Sequence, residues 1–204
     1  MDAIVMVGGR GGDLGIEDKP NLILLDKPII GHVIDSLAGS ENVDNIYVAL
    51  SPFSLKTRET VLSRYSQDVD VIITPGMNYV ADMIHAVKEA GISGPVLIIM
   101  YDIVMITPEV IDFIISEYQK CGKPSMSVHV PISIFRNSES RPETVFNRNG
   151  KLISPAGINI MLGKDIDQEQ EDCNLVLHEM GLAFNLNTVY DLDRCEQIMV
   201  SRRC

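Results

Sequence analysis

The chain is poor in aromatic residues, which make up 5% of its 204 positions against 46% for apolar residues as a whole. Its core must therefore be aliphatic and methionine-rich. Cysteine is scarce: Cys121, Cys173, Cys195 and Cys204 form no C-x-x-C pair and have no histidine at zinc-site spacing, so reduced thiols are expected. His32, His85, His129 and His178 likewise form no pair at metal-ligand spacing and are expected at structural or surface positions. No apolar run approaches the ~20 residues of a membrane-spanning helix. The N-terminus lacks the pattern of a secretory leader, which makes the cytoplasm the expected location. Basic residues are outnumbered 17 to 28, for a net charge of −11. That balance, with no basic stripe, argues against a nucleic-acid partner.

Against this acidic background one basic, glycine-rich stretch stands out. The apolar run Ala3–Val7 reads as a buried strand, and it is followed by Gly8-Gly9-Arg10-Gly11-Gly12-Asp13-Leu14-Gly15 and then Asp18-Lys19-Pro20. Five glycines in eight positions let a backbone turn sharply and bring its N–H groups onto one anion. Arg10 and Lys19 add positive charge to the same loop, so the cluster reads as a cradle for a polyphosphate. It lacks the Gly-Lys-Ser/Thr of a P-loop and does not run straight into a helix as a dinucleotide fingerprint does. The alternative is a glycine-rich surface turn.

Downstream, strands and helices alternate. Helical periodicity covers Pro28–Leu37, about 55–65, 78–89 and 108–119, with Thr107 in the cap position and Pro108 following it. Strands are expected at 45–50, 69–73, 96–100 and 125–130, the fully apolar 96–100 reading as a central parallel strand. The pattern then loosens: 136–142 reads as a loop or flap, 143–153 as a hairpin around Asn149-Gly150, 157–162 as a strand, 164–172 as an exposed acidic stretch, and 182–186 as a last strand before a final helix from about Val189. The expectation is one domain over 1–204: an α/β fold with a Rossmann-like, mostly parallel sheet flanked by helices and a small β-rich insertion at about 131–156.

In such a sheet ligands sit beyond the carboxyl ends of the strands. Asp102, directly behind the 96–100 strand, is a candidate Mg²⁺ ligand, or else the cap of a turn into the next helix. Asn187 could supply an oxygen to the same ion or cap the last helix. Gly76, Tyr79 and Asp82 follow the third strand, and the Asp82 carboxylate could accept from the N–H edge of guanine or simply favour a helix start.

Gly8, Gly9, Gly11, Leu14, Gly15, Lys19 and Pro20 match the loop, roughly G-G-x-G-T-R-M-G followed by K-P, of a family this chain resembles. It is the MobA-like nucleotidyltransferases of the glycosyltransferase-A-like fold, the nucleotide-diphospho-sugar transferase type. Asp102 and Asn187 fall where that family holds its metal. Within it, Gly76, Tyr79, Asp82, the segment Pro155-Ala156-Gly157-Ile158-Asn159 and the ending Phe184–Thr188 are similar to guanylyltransferases acting on adenosylcobinamide phosphate. The resemblance implies transfer of GMP from GTP to that acceptor with loss of pyrophosphate, in cobalamin biosynthesis. Gly8, Gly9, Arg10, Gly11, Gly12 and Lys19 would hold the nucleotide phosphates, Arg10 and Lys19 acting catalytically. Gly76, Tyr79 and Asp82 would hold the base, Asp102 and Asn187 would hold Mg²⁺, and Pro155, Gly157 and Asn159 would face the acceptor. Molybdopterin or a sugar or alditol phosphate is the alternative acceptor, and the reading leaves room for a homodimer. One departure bears on activity: Gly12-Asp13 stands where the family has Thr-Arg, which keeps open a nucleotide binder with weakened or no transfer.

Overall fold

Two uninterrupted apolar strands lie side by side at the middle of the sheet. They are β1 (Asp2–Val7) and β6 (Pro95–Met100), paired in parallel with Val5 opposite Ile99. The computed structural model describes residues 1–8, 19–138, 142, 144–184, 186 and 189–203. Within them β2 (Ile23–Leu24) and β3 (Lys27–Pro28) form a small ribbon leading into α1 (Ile29–Ala38). β4 (Ile46–Leu50) pairs with the other edge of β1, and β5 (Asp70–Ile73) lies outside it, both parallel. The order of the main sheet is β10-β7-β9-β6-β1-β4-β5, where β7 is Ser125–Pro131, β9 is Lys151–Leu162 and β10 is Asp172–Val176. β9 runs antiparallel between β6 and β7, and its first half forms a hairpin with β8 (Phe146–Arg148).

The helices cover the sheet as their apolar spacing requires. α1 and α4 (Pro108–Cys121) bury Ile29, Ile30, Val33, Ile34, Leu37, Ile111, Ile114 and Ile115 on one face. α3 (Tyr79–Glu89) buries Met83, Ala86 and Val87 on the other, against Ile4, Met6, Ile72 and Ile98. α2 (Leu55–Arg64) packs beside β5, and α6 (Val189–Arg203) closes the described chain. Thr107 caps α4 with its backbone alone; its hydroxyl is hydrogen-bonded to Glu109, holding that carboxyl below its ordinary range.

Three expectations change. The 131–156 stretch holds a helix, α5 (Ile132–Ser138), before the hairpin: Ile132, Ile134 and Phe135 pack into the core, and tertiary burial overrides their β preference. Residues 182–183, read as the start of a last strand over 182–186, instead lie in a 3-10 turn, Met180–Ala183. The sheet's edge is instead β10, which begins inside the stretch expected to be loop.

Candidate active site at the carboxyl edge of the sheet

β1, β4, β5 and β6 all end at one edge, and the strand order reverses at β1: β4 and β5 lie to one side and β6 to the other. A crevice at such a switch point is where open α/β sheets take their ligands. Here a cleft of about 390 Å³ opens, floored by Met100 and walled by Gly8, Ser51, Phe53 and the turn Gly76–Tyr79 with Asp82. Its volume suits a nucleoside.

The turn on one side of the cleft is rigid for local reasons. Gly76 has φ +69°, and a Cβ there would lie 2.9 Å from Pro52 Cδ, so only glycine fits. Asn78 caps α3, its Oδ1 accepting from the Ala81 N–H at 3.0 Å. Asp82, nearly buried, accepts through Oδ1 from the Gly76 and Met77 N–H groups at 2.9 and 3.3 Å. Its Oδ2 takes no hydrogen bond from any described residue. The carboxylate therefore braces the turn with one oxygen and leaves the other for a ligand.

At the same edge of the sheet, directly after β6, a long-range contact forms. Lys19, in the 3-10 turn Lys19–Asn21, places Nζ 2.9 Å from Asp102 Oδ2. Both residues are buried, at 6% and 8% exposure. Nζ also lies 5.5 Å from the centre of the Tyr101 ring, which attracts the cation through its face. Burial first, and then the neighbouring Asp102 charge, raise the Tyr101 hydroxyl well above its ordinary range, so the phenol stays neutral. Asp102 is thus the anionic partner of Lys19 rather than the cap of a following turn. Among the described residues no three His, Cys, Asp or Glu side chains gather around a point. Mg²⁺ needs no such cage when substrate phosphates and water complete its shell. A buried carboxylate whose Oδ1 accepts nothing from the described residues fits that partial role.

Of the sequence-derived candidates, the structure brings Gly8, Gly76, Tyr79 and Asp82 to one cleft and pairs Lys19 with Asp102. A Cβ at Gly8 would meet nothing within 4 Å, so this backbone is open to a ligand. Gly9, Arg10, Gly11, Gly12, Asp13 and Asn187 lie outside the described residues, as does part of the 136–142 stretch. The acceptor candidates lie on β9. Exposed Pro155 and half-buried Gly157 lie toward the active edge, while Asn159 pairs with Ile98 and Ser127 deeper in the sheet. Gly157 has φ +73° beside a register shift, and the space of its missing Cβ is taken by Met100 Cγ at 3.1 Å and Ile103 Cδ1 at 3.3 Å. Strand packing, rather than close approach of a ligand, accounts for that glycine.

Sequence reasoning did not place Ser51, Phe53 or Met100 at the site. Applying the strand-end rule to β4 as well as its neighbours would have found the first two. Two of the histidines are buried in the fold, His32 sharing a hydrogen bond with the Leu24 carbonyl and His129 with that of Ser127, whereas His85 is half-buried and His178 exposed.

Fold and site together define a nucleotide-transferring α/β protein. The sequence profile of the MobA-like NTP transferase domain matches residues 3–146, and the chain belongs to that family. It is a nucleotidyltransferase. It is 31% identical over 201 residues to the adenosylcobinamide-phosphate guanylyltransferase of Methanocaldococcus jannaschii, spanning 98% of this chain and 97% of that one. Among solved structures it is similar to a CMP:2-keto-3-deoxy-manno-octonic acid synthetase complexed with CTP, with a TM-score of 0.73 at 13% identity, over 98% and 99% of the two chains. It is similar also to the molybdopterin-guanine dinucleotide biosynthesis protein A of Archaeoglobus fulgidus, with a TM-score of 0.67 at 18% identity, over 98% and 100%. No helix among the described residues is long and apolar enough to cross a membrane.

Proposed function

We propose that this chain transfers GMP from GTP to adenosylcobinamide phosphate and releases pyrophosphate. The reading is carried by one coincidence: the cleft and the Lys19–Asp102 pair share an edge in a chain that matches, end to end, a relative named for this reaction. A phosphate oxygen of the acceptor attacks the α-phosphorus, and the bond from that phosphorus to the bridging oxygen of the β-phosphate breaks. No protein nucleophile is required, so catalysis is positioning and neutralisation of charge.

In this scheme the Gly8–Gly12 backbone and Arg10 hold the β- and γ-phosphates. Lys19 exchanges Asp102 for the α-phosphate oxygens, where charge develops. Asp102 and Asn187 would hold Mg²⁺, which neutralises phosphate charge when bound. The Gly76–Tyr79 turn and Asp82 Oδ2 receive the base. Guanine offers two adjacent N–H donors, N1–H and N2–H, to a carboxylate and adenine has no such pair, so the free Oδ2 supports GTP as the donor. Pro155, Gly157 and Asn159 would face the acceptor, and one catalytic domain over 1–204 would supply every group.

The test is release of pyrophosphate with GTP and Mg²⁺, comparing adenosylcobinamide phosphate with molybdopterin and a sugar phosphate. Turnover with the first alone is expected. Turnover with molybdopterin alone would overturn the acceptor, and a chain that binds GTP and turns over none would overturn the transfer reading.

A further inference from the structure

Away from the cleft, two cysteines far apart in the sequence meet where α4 passes beneath the edge of the sheet. Cys121 is the last residue of α4, and Cys173 is the second residue of β10. Cys173 is paired in register with Met126 of β7, whose side chain belongs to the core on the α1 and α4 face. Strand partners in register share a face, so Cys173 is turned toward α4. Both cysteines are half-buried against that same cluster.

The two segments are fastened to each other next to the cysteines. The Ser125 N–H and hydroxyl both donate to the Glu171 carbonyl, at 3.2 and 3.0 Å, and Lys123 Nζ donates to the Asp172 carbonyl at 3.1 Å. The thiols sense one another: the Cys173 thiol is raised above its ordinary range by burial first and by the adjacent Cys121 thiol next. The other described cysteine, Cys195, is fully buried and its thiol is pushed up to about 12, which makes it inert to mild oxidants.

We propose that Cys121 and Cys173 are a modification site, a dithiol that a peroxide closes to a reversible disulfide, locking β10 onto α4. The thiolate of one cysteine attacks a peroxide oxygen, the O–O bond breaks, and a sulfenic acid and one water form. The second thiol then displaces the sulfenic hydroxyl, which leaves with the thiol proton as a second water. In sum, two thiols and one hydrogen peroxide give one disulfide and two waters, and a dithiol reductant reverses it. β10 is the strand that gains, because it ends the sheet and pairs with β7 alone among the described strands. Edge strands are where local opening and mispairing begin.

The experiment treats the folded full-length protein with a small molar excess of hydrogen peroxide and counts thiols in denaturant. Two of the four cysteines are expected to disappear, and a peptide cross-linked between 121 and 173 to appear by mass spectrometry without reductant. The oxidised protein is expected to melt on the order of 10 °C higher, an increment that dithiothreitol abolishes. Cys121→Ser and Cys173→Ser each remove the cross-link and the increment while keeping the melting point of the reduced protein. Retention of all four thiols, a cross-link that involves Cys204 instead, or oxidation of Cys121 to a sulfinic acid without a cross-link would each overturn the proposal. None of these outcomes depends on which acceptor the enzyme uses.

Discussion

Two carboxylates at this edge of the sheet, Asp82 in the cleft and Asp102 behind β6, are held in opposite ways. Asp82 is satisfied by two backbone N–H groups only a few residues away, so its position is settled as soon as the turn into α3 forms. Asp102 is satisfied by Lys19, which arrives from the far end of the sequence once the sheet has assembled. A carboxylate pinned by its own turn is a fixed recognition element, whereas one held by a lysine side chain can change partners. The first suits reading a base, and the second suits a step in which metal and phosphate replace the ion pair.

The largest break in that contrast comes from Asp102→Ala. It removes a candidate metal ligand and leaves the Lys19 ammonium buried without its carboxylate, so turnover is expected to fall by about 1,000-fold or more and stability by about 3–5 kcal/mol. Steady-state pyrophosphate release and urea denaturation measure the two losses separately.

Lys19→Met sharpens the exchange. Turnover should fall by about 100–1,000-fold, and the stranded Asp102 should make this variant gain more in melting temperature from added Mg²⁺ than the wild type does. Equal gains in the two proteins would show that Asp102 and the metal do not meet.

Asp82→Asn tests the other carboxylate, because an asparagine Oδ1 can still accept from Gly76 and Met77 while the charge at Oδ2 is lost. KM for GTP is expected to rise about 10- to 100-fold with kcat little changed, corresponding to about 1–3 kcal/mol. A KM within twofold of wild type would reduce Asp82 to a brace.

The smallest expected effect on chemistry is that of Gly157→Ala. Its positive φ and its contact with Met100 predict a loss of about 1–3 kcal/mol in stability, seen in denaturant melts, with turnover per folded molecule nearly unchanged.

The half of the fold that carries the donor cleft was legible from sequence because its signals are local. β1 and β6 contain continuous apolar runs, α3 has an asparagine cap and a regular apolar face, and the ends of β1, β4 and β5 are marked by Gly8, Ser51-Pro52 and Thr74-Pro75. Beyond Ser125 the signals become tertiary. β10 alternates Asp172, Cys173, Asn174, Leu175 and Val176, so half of it resembles the acidic loop before it. In α5, Ile132, Ile134 and Phe135 have strand-like composition and become helical because the core beneath β7 and β9 takes them. Leu182 and Ala183 are apolar because a tight turn buries them, not because they extend. At the site, Lys19 and Asp102 were each legible as residue types at strand ends, but their mutual contact was not, since nothing local encodes a partner on another strand. Gly157 was legible as a glycine in a segment read as facing the acceptor, but nothing local marked Met100 and Ile103 as the side chains that crowd it.

The antiparallel insertion of β9 has a consequence for how the chain comes together. β6 and β7 follow one another in sequence but are neighbours only through β9, which is made after both. During synthesis, then, the emerging polypeptide passes through a stage with two hydrogen-bonding edges bare at the same time. The keystone that joins them is the very segment bearing Pro155 and Gly157.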